Sequence, residues 1–226
     1  MFSILLSLAK GGTHQSPIHT SLQRKNLVDI VYKQYCTKQR VNESYRKLKN
    51  AFKKLHDDYL RIKGRNIFSK YIQMQQIIYE VIILDKQYWQ LINVPEPKLS
   101  EAANDYVLRV MKLVNITQLG VPRRPGIAAL LGVTTIVENA TETVIFETIR
   151  SLSTDDLQDE CNRMYVALYR LLRKYLKLRE MLRELNSDFH SSRFLPIIPR
   201  YNLLKSMIKN VIREPTFPEI YHEPDL

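Results

Sequence analysis

The chain reads as an all-α protein built from long coiled-coil helical hairpins and a short C-terminal amphipathic helix. Three observations predict this. Apolar residues recur three and four apart over long stretches, the spacing of one helix face. Glycine is scarce, 6 in 226 residues. Several of the 10 prolines cluster at segment edges, where they punctuate helices without breaking them.

Bulk properties narrow the class. Hydrophobic residues make up 45% of the chain, enough to build a core, so wholesale disorder is excluded. The formal net charge is +11, from 34 Lys+Arg against 23 Asp+Glu. That balance suits an acidic partner: nucleic acid, an anionic membrane, an acidic protein surface or the acidic tails of tubulin. Cys36 and Cys161 stand far apart with no CxxC. Neither a disulfide framework nor a zinc module is indicated, and both read as small apolar side chains in a reducing compartment. No apolar run reaches the roughly 18 to 20 residues of a transmembrane helix. The longest, Ile127 to Val137, is interrupted by Gly132 and two threonines.

Residues 1–26 form a basic, irregular segment in this reading, with Gly11, Gly12 and Pro17 as breakers. The first 28 residues carry no acid, and Phe2 to Leu8 is an apolar stretch. That pattern is also the pattern of a mitochondrial presequence.

Residues 27–119 are predicted to hold a helical hairpin and a third helix. Tyr45, Leu48, Phe52, Leu55, Tyr59 and Ile62 are spaced 3, 4, 3, 4, 3, the seam of a coiled coil. Arg46, Lys47, Lys49, Lys53 and Lys54 fall off that seam and make a basic face. Between Leu27 and Arg65 there are eleven bases and four acids. Gly64 turns the chain, and a second helix over 66–92 is apolar nearly all round, from Ile67 through Trp89. Such a helix must be covered on more than one side, by this chain or by a partner. Val94-Pro95-Glu96-Pro97 is a stop, and Ser100 can cap a third helix running to about Leu119.

Residues 120–153 open with the linker Gly120-Val-Pro-Arg-Arg-Pro-Gly126 and continue as a Val- and Thr-rich stretch to Ile149. Its strand propensity is outweighed by helical neighbours, so it is read as helical. Over 154–213 the pattern is clearest. Ser153-Thr-Asp-Asp156 resembles a capping box. Cys161, Met164, Leu168, Leu171, Tyr175, Leu178, Leu182 and Leu185 then alternate 3 and 4 apart. Phe194 to Pro199 reads as an extended apolar plug. Tyr201 to Arg213 is amphipathic, with Leu204, Ile208, Val211 and Ile212 on one side. Residues 214–226 are an acidic, proline-rich tail.

No catalytic constellation emerges. There is no GxGxxG or GxxxxGK[ST] phosphate loop and no GxSxG elbow. His14, His19, His56, His190 and His222 are isolated, with neither HExxH nor Cys/His ligand spacing. His56 beside Asp57 and Asp58 reads as surface. No catalytic, cofactor or metal-binding residue is assigned, and a small-molecule substrate is not expected. Tyr35, Tyr45 and Tyr59 on the basic helix could stack on bases, but two of them occupy the seam and no nucleic-acid-binding signature accompanies them.

A family resemblance runs through the middle of the chain. Its residues are KLHDDY (Lys54 to Tyr59), IFSKYIQMQ (Ile67 to Gln75), EVIILDK (Glu80 to Lys86), LSEAANDYVLRVMKLV (Leu99 to Val114), ETIRSL (Glu147 to Leu152) and RMYVALYRL (Arg163 to Leu171). Their order resembles the second-subunit family of augmin, the HAUS complex that recruits γ-tubulin to existing spindle microtubules. Gly120 to about Thr143 and the basic N-terminus have no counterpart in that pattern. The resemblance implies a non-catalytic coiled-coil subunit packed against other subunits, with no catalytic or cofactor residues.

The expectation is therefore a scaffold subunit without enzymatic activity. Its partner-binding residues are read as the two seams: Tyr45, Leu48, Phe52, Leu55 and Tyr59, and Met164, Leu168, Leu171, Tyr175, Leu178, Leu182 and Leu185. The partners are other coiled-coil subunits, with microtubules or another acidic polymer on the basic face. The expected location is the cytoplasm and spindle cytoskeleton. Two alternatives stand beside it, a mitochondrial matrix assembly or ribosome-associated factor and a nucleic-acid-binding helical module.

Overall fold

A computed structural model describes residues 17–64, 66–88, 97–98, 100–113, 116, 142–214 and 218. Among these residues the structure is all-α, and it contains no strand. Its helices are α1 (Pro17–Arg61), α2 (Ile67–Tyr88), α3 (Ala103–Leu113), α4 (Glu142–Ser151), α5 (Thr154–Ser191) and α6 (Ile197–Arg213), with a 3-10 turn at Ser192–Phe194. The predicted stop at Val94–Glu96, the Gly120–Gly126 linker and the stretch 127–141 lie outside the described residues.

Helix α1 starts at Pro17, ten residues before the apolar pattern begins at Leu27. Proline is tolerated in a first turn because its missing N–H has no intrahelical acceptor there. Farther in, the Arg24 guanidinium donates to the carbonyls of Arg150 and Leu152 at 2.9 and 3.0 Å. The helix stops at Arg61, and Gly64 follows with φ +149°, a region that disfavours side chains. Asn66 then caps α2, its Oδ1 accepting from the Phe68 N–H at 2.8 Å.

The sequence predicts that the first two helices pair as an antiparallel hairpin. They do pack together, and Lys54 of α1 meets Glu80 of α2 at 2.7 Å. The principal neighbour of α1 is nonetheless α5. Length explains the difference. A helix rises about 1.5 Å per residue. The 22 residues of α2 therefore cover only half of a 45-residue α1, whereas the 38 residues of α5 follow most of it.

Helices α1 and α5 run in the same direction. Near their starts, Leu27, Val28, Val31 and Tyr35 share a cluster with Leu157, Cys161 and Met164. Farther along, Tyr45 to Leu55 share another with Leu168 to Phe189. Arg24 reaches residues 126 and 128 positions later in the chain, and Gln34 hydrogen-bonds the Cys161 thiol 127 positions later, 161 minus 34. A constant offset over many turns is the mark of a parallel register.

The remaining helices complete two cores. Helix α4 closes the first with Ile145 and Ile149, and its Phe146 meets Tyr32 edge-on with ring centroids 5.1 Å apart. Helices α2, α3 and α6 close the second, the largest, around α5. Ser153 caps α5 as the sequence predicts, its Oγ accepting from the Asp156 N–H at 3.2 Å. Helix α3 begins at Ala103, later than predicted, and Ser100 is not its cap; most of the predicted continuation past Leu113 lies outside the described residues. Ser100 lies in a turn with φ +62°, while Glu101 accepts from the Lys98 N–H and clamps Arg109 at 2.7 and 2.8 Å. The Phe194–Pro199 stretch is no plug. It is the corner between α5 and α6, with its apolar side chains turned outward. Helix α6 consequently starts at Ile197, with Pro199 tolerated in its first turn.

Candidate interaction site

The two predicted seams lie within the chain's own cores. Tyr45, Leu48, Phe52 and Leu55 are buried in the larger one, together with Leu168, Tyr175, Leu178, Leu182 and Leu185. Tyr59 and Leu171 are half-buried against it, and Met164 belongs to the smaller cluster. Among the described elements, the helices that cover the α1 seam and the α5 seam include each other. Leu172, Leu176 and Met181 are also buried, although they lie off the predicted seam. Helix α5 touches α1, α2, α3 and α6, so it needs apolar residues on several faces. A single heptad stripe could not have shown them.

The predicted basic face requires a correction. Arg46, Lys47 and Lys54 are exposed, but Lys49 is only 2% exposed and Lys53 is half-buried. The C-terminal half of α1 is flanked by α2 and α6 as well as α5, so residues outside one seam are enclosed too. A half-buried lysine such as Lys53 can pack its aliphatic stem while its ammonium reaches outward, whereas Lys49 is enclosed along its whole length. Of the exposed bases, Lys47 pairs with Glu43 one turn earlier and Lys54 pairs with Glu80. The Glu80 carboxylate holds the Lys54 ammonium above its usual pKa, and Lys54 in turn lowers that of Glu80. The face is therefore partly spent on internal pairs.

Helix α2 shows the opposite pattern. Tyr71, Met74, Ile78, Val81 and Ile82 are buried against the rest of the fold. Phe68, Ile72, Tyr79 and Ile83 are exposed, with Tyr79 at 54%. Together with the exposed Gln76 they are spaced 4, 4, 3 and 4 apart, which places them on one face of the helix. Burying one such side chain is worth about 1.5 to 3 kcal/mol, so a row of four is a strong incentive for a covering surface. The stripe was legible in the sequence as a helix lacking a polar face. Which of its sides this chain would close was not.

His56 Nδ1 stands 3.3 Å from Asp57 Oδ1 on the surface of α1. Burial pushes the Cys161 thiol up, away from the thiolate form that reacts or binds metal. Among the described residues no group of three His, Cys, Asp or Glu is placed to hold a metal ion. No helix among them is long and apolar enough to cross a membrane. No family model matches the chain, and neither a curated protein nor a solved structure matches it.

Proposed function

We propose that the chain is a non-catalytic helical subunit of a multiprotein assembly, joined to its neighbours through α2. The exposed stripe Phe68, Ile72, Tyr79 and Ile83 carries this reading. It is straight, regularly spaced and borne on a helix whose opposite side is anchored, which suits a partner helix laid alongside it. The ordered fragments between Lys54 and Leu171 support a particular form of the proposal. In it the assembly is augmin-like, the partners are its other coiled-coil subunits, and the site of action is microtubule nucleation in the mitotic spindle. The two heptad seams serve such a subunit by holding α2 in place.

The acid-free first 28 residues favour a second reading, import into the mitochondrial matrix. One experiment addresses both. The chain is expressed in cells with its own N-terminus free and a tag at the other end, beside a Tyr79→Glu/Ile83→Glu variant. The proposal expects spindle location and co-purification with coiled-coil subunits, the latter lost in the variant. Mitochondrial location overturns the spindle assignment. Co-purification that survives both substitutions overturns the assignment of α2 as the joining face.

A further inference from the structure

Two corners of the fold come together at one end of the bundle. The α1–α2 turn follows Arg61, and the α5–α6 turn follows Ser191. The parallel register of α1 and α5 brings both turns to the same end. Arg200 links them, its guanidinium lying 5.7 Å from the Tyr71 ring of α2 and 5.6 Å from the Phe189 ring of α5.

The side chains that project from this end are apolar and far out of the surface. Phe194 is 81% exposed, Leu60 67% and Ile198 60%, with Ile67, Phe68 and Leu195 beside them. Basic residues outnumber acids around them. Residues 60–72 and 190–205 contain seven Lys or Arg and neither Asp nor Glu; among the described ones Arg61, Lys63 and Arg193 are exposed, and Lys70, Arg200 and Lys205 are half-buried. Asp58 and Asp188 lie just outside these segments, and Asp58 pairs with Arg61 at 3.7 Å. Arg193 lies over the Phe194 ring, 4.6 Å from its centroid, so a cation accompanies the most exposed aromatic residue.

We propose that this end of the bundle docks on an anionic lipid surface, with Phe194, Ile198 and Leu60 entering the headgroup–acyl boundary. Apolar residues that enter a bilayer interface, ringed by Lys and Arg that remain among anionic headgroups, are the known requirement for peripheral attachment. Convexity argues for lipid over a partner's groove, because a fluid phase closes around protruding side chains without a matching shape. Nucleic acid would engage the bases and leave Leu60, Phe194 and Ile198 wet. A second copy meeting end to end would set like charges against each other. Phe68 borders both this site and the α2 stripe, but Phe194, Ile198, Lys63 and Arg193 lie outside the stripe, so substitutions there can fail while the assembly role of Tyr79 and Ile83 stands.

The test is flotation of the full chain with vesicles of phosphatidylcholine containing phosphatidylserine, against vesicles of phosphatidylcholine alone. Binding is expected to the anionic vesicles and to weaken as salt is raised. Phe194→Ser with Ile198→Ser should lower the affinity about tenfold or more, as should Lys63→Glu with Arg193→Glu. All four residues are exposed, so helical content by circular dichroism should be unchanged. A Phe194→Trp variant gives an independent reading, since its fluorescence should be quenched by lipids brominated on the acyl chain. Three results would overturn the proposal: no binding to anionic vesicles, binding indifferent to the Phe194 and Ile198 substitutions, or salt-sensitive binding to duplex DNA or an acidic polypeptide in place of vesicles.

Discussion

Helices α2 and α5 are both rich in large apolar residues, yet one is enclosed and the other is open along one side. Helix α5 packs against α1, α2, α3 and α6 and shares the smaller core with α4, and its buried residues run from Leu157 to Phe189. Helix α2 buries Tyr71 to Ile82 on one side and leaves Phe68 to Ile83 uncovered on another. Apolar content alone did not decide this. Position did: α5 has neighbours around it, while α2 sits against α1, α5 and α6 from one side. An enclosed helix serves stability, and an open one offers area to something else.

The contrast breaks most sharply at Leu178, which is fully buried. Leu178→Asp should cost about 3 to 5 kcal/mol, because it deletes packing and places a carboxylate where water cannot follow. Urea unfolding should show the chain largely unfolded in buffer. Leu171→Asp, half-buried, should fall between this and a surface change. Equal effects at the two positions would mean that α5 is not phased as described.

Lys49 sharpens the comparison on α1. Lys49→Glu should destabilise by about 1 to 3 kcal/mol, since it loses the buried stem and puts an acid in an enclosed place. Arg46→Glu, on the exposed side of the same helix, should stay within about 0.5 kcal/mol. Indistinguishable unfolding midpoints would restore Lys49 to a solvated face.

Much of this fold was legible in residue spacing. The seams from Tyr45 to Tyr59 and from Met164 to Leu185, the turn at Gly64 and the cap at Ser153 all follow from local chemistry. Which helices meet is a non-local matter, and spacing does not encode it. The pairing of α1 with α5 depends on a chain that travels through α2, α3 and α4 before returning in the same direction. For the same reason the burial of Lys49, Leu172 and Met181 escaped notice, because each faces a second neighbour that the heptad rule does not contain. An apolar run such as Phe194–Pro199 usually signals burial, whereas here the chain turns from α5 into α6 at Pro196 and leaves it outward. The α2 stripe was visible only as an excess of apolar residues without an assigned side.

Acid should act on a different contact, the clamp at the start of α3. Helix α3 covers part of α5, and the Tyr169 hydroxyl of α5 donates to the side-chain Oδ1 of Asn104 at 3.0 Å. The Arg109 guanidinium, helped by the Lys98 N–H, holds the Glu101 carboxyl down at about 2, from 4.5. A depressed carboxyl pKa adds stability above the unfolded value and loses it as pH falls through the folded one. The contribution should therefore be present above about pH 4.5 and vanish toward about pH 2. Melting temperatures across that window should fall by a few degrees more for wild type than for Glu101→Gln. Parallel curves would remove the clamp from the account.

The smallest effect on stability belongs to the open face of α2, and it is informative because it should be near zero. Tyr79→Lys and Ile83→Lys exchange exposed apolar groups for charges, and neither side chain contributes to the buried side of the helix. The double variant should unfold within about 0.5 kcal/mol of wild type, as surface substitutions do. Solution behaviour should change far more. The isolated wild-type chain presents a largely apolar row, interrupted only by Gln76, to its own copies and should self-associate at micromolar concentration. The double variant should shift sedimentation toward monomer, because like charges now line the row. If the variant instead unfolds with Leu178→Asp, Tyr79 and Ile83 are core residues and α2 is as enclosed as α5. If wild type is a monodisperse monomer that the substitutions leave unchanged, the stripe needs no covering partner, and the case for α2 as an assembly face loses its basis.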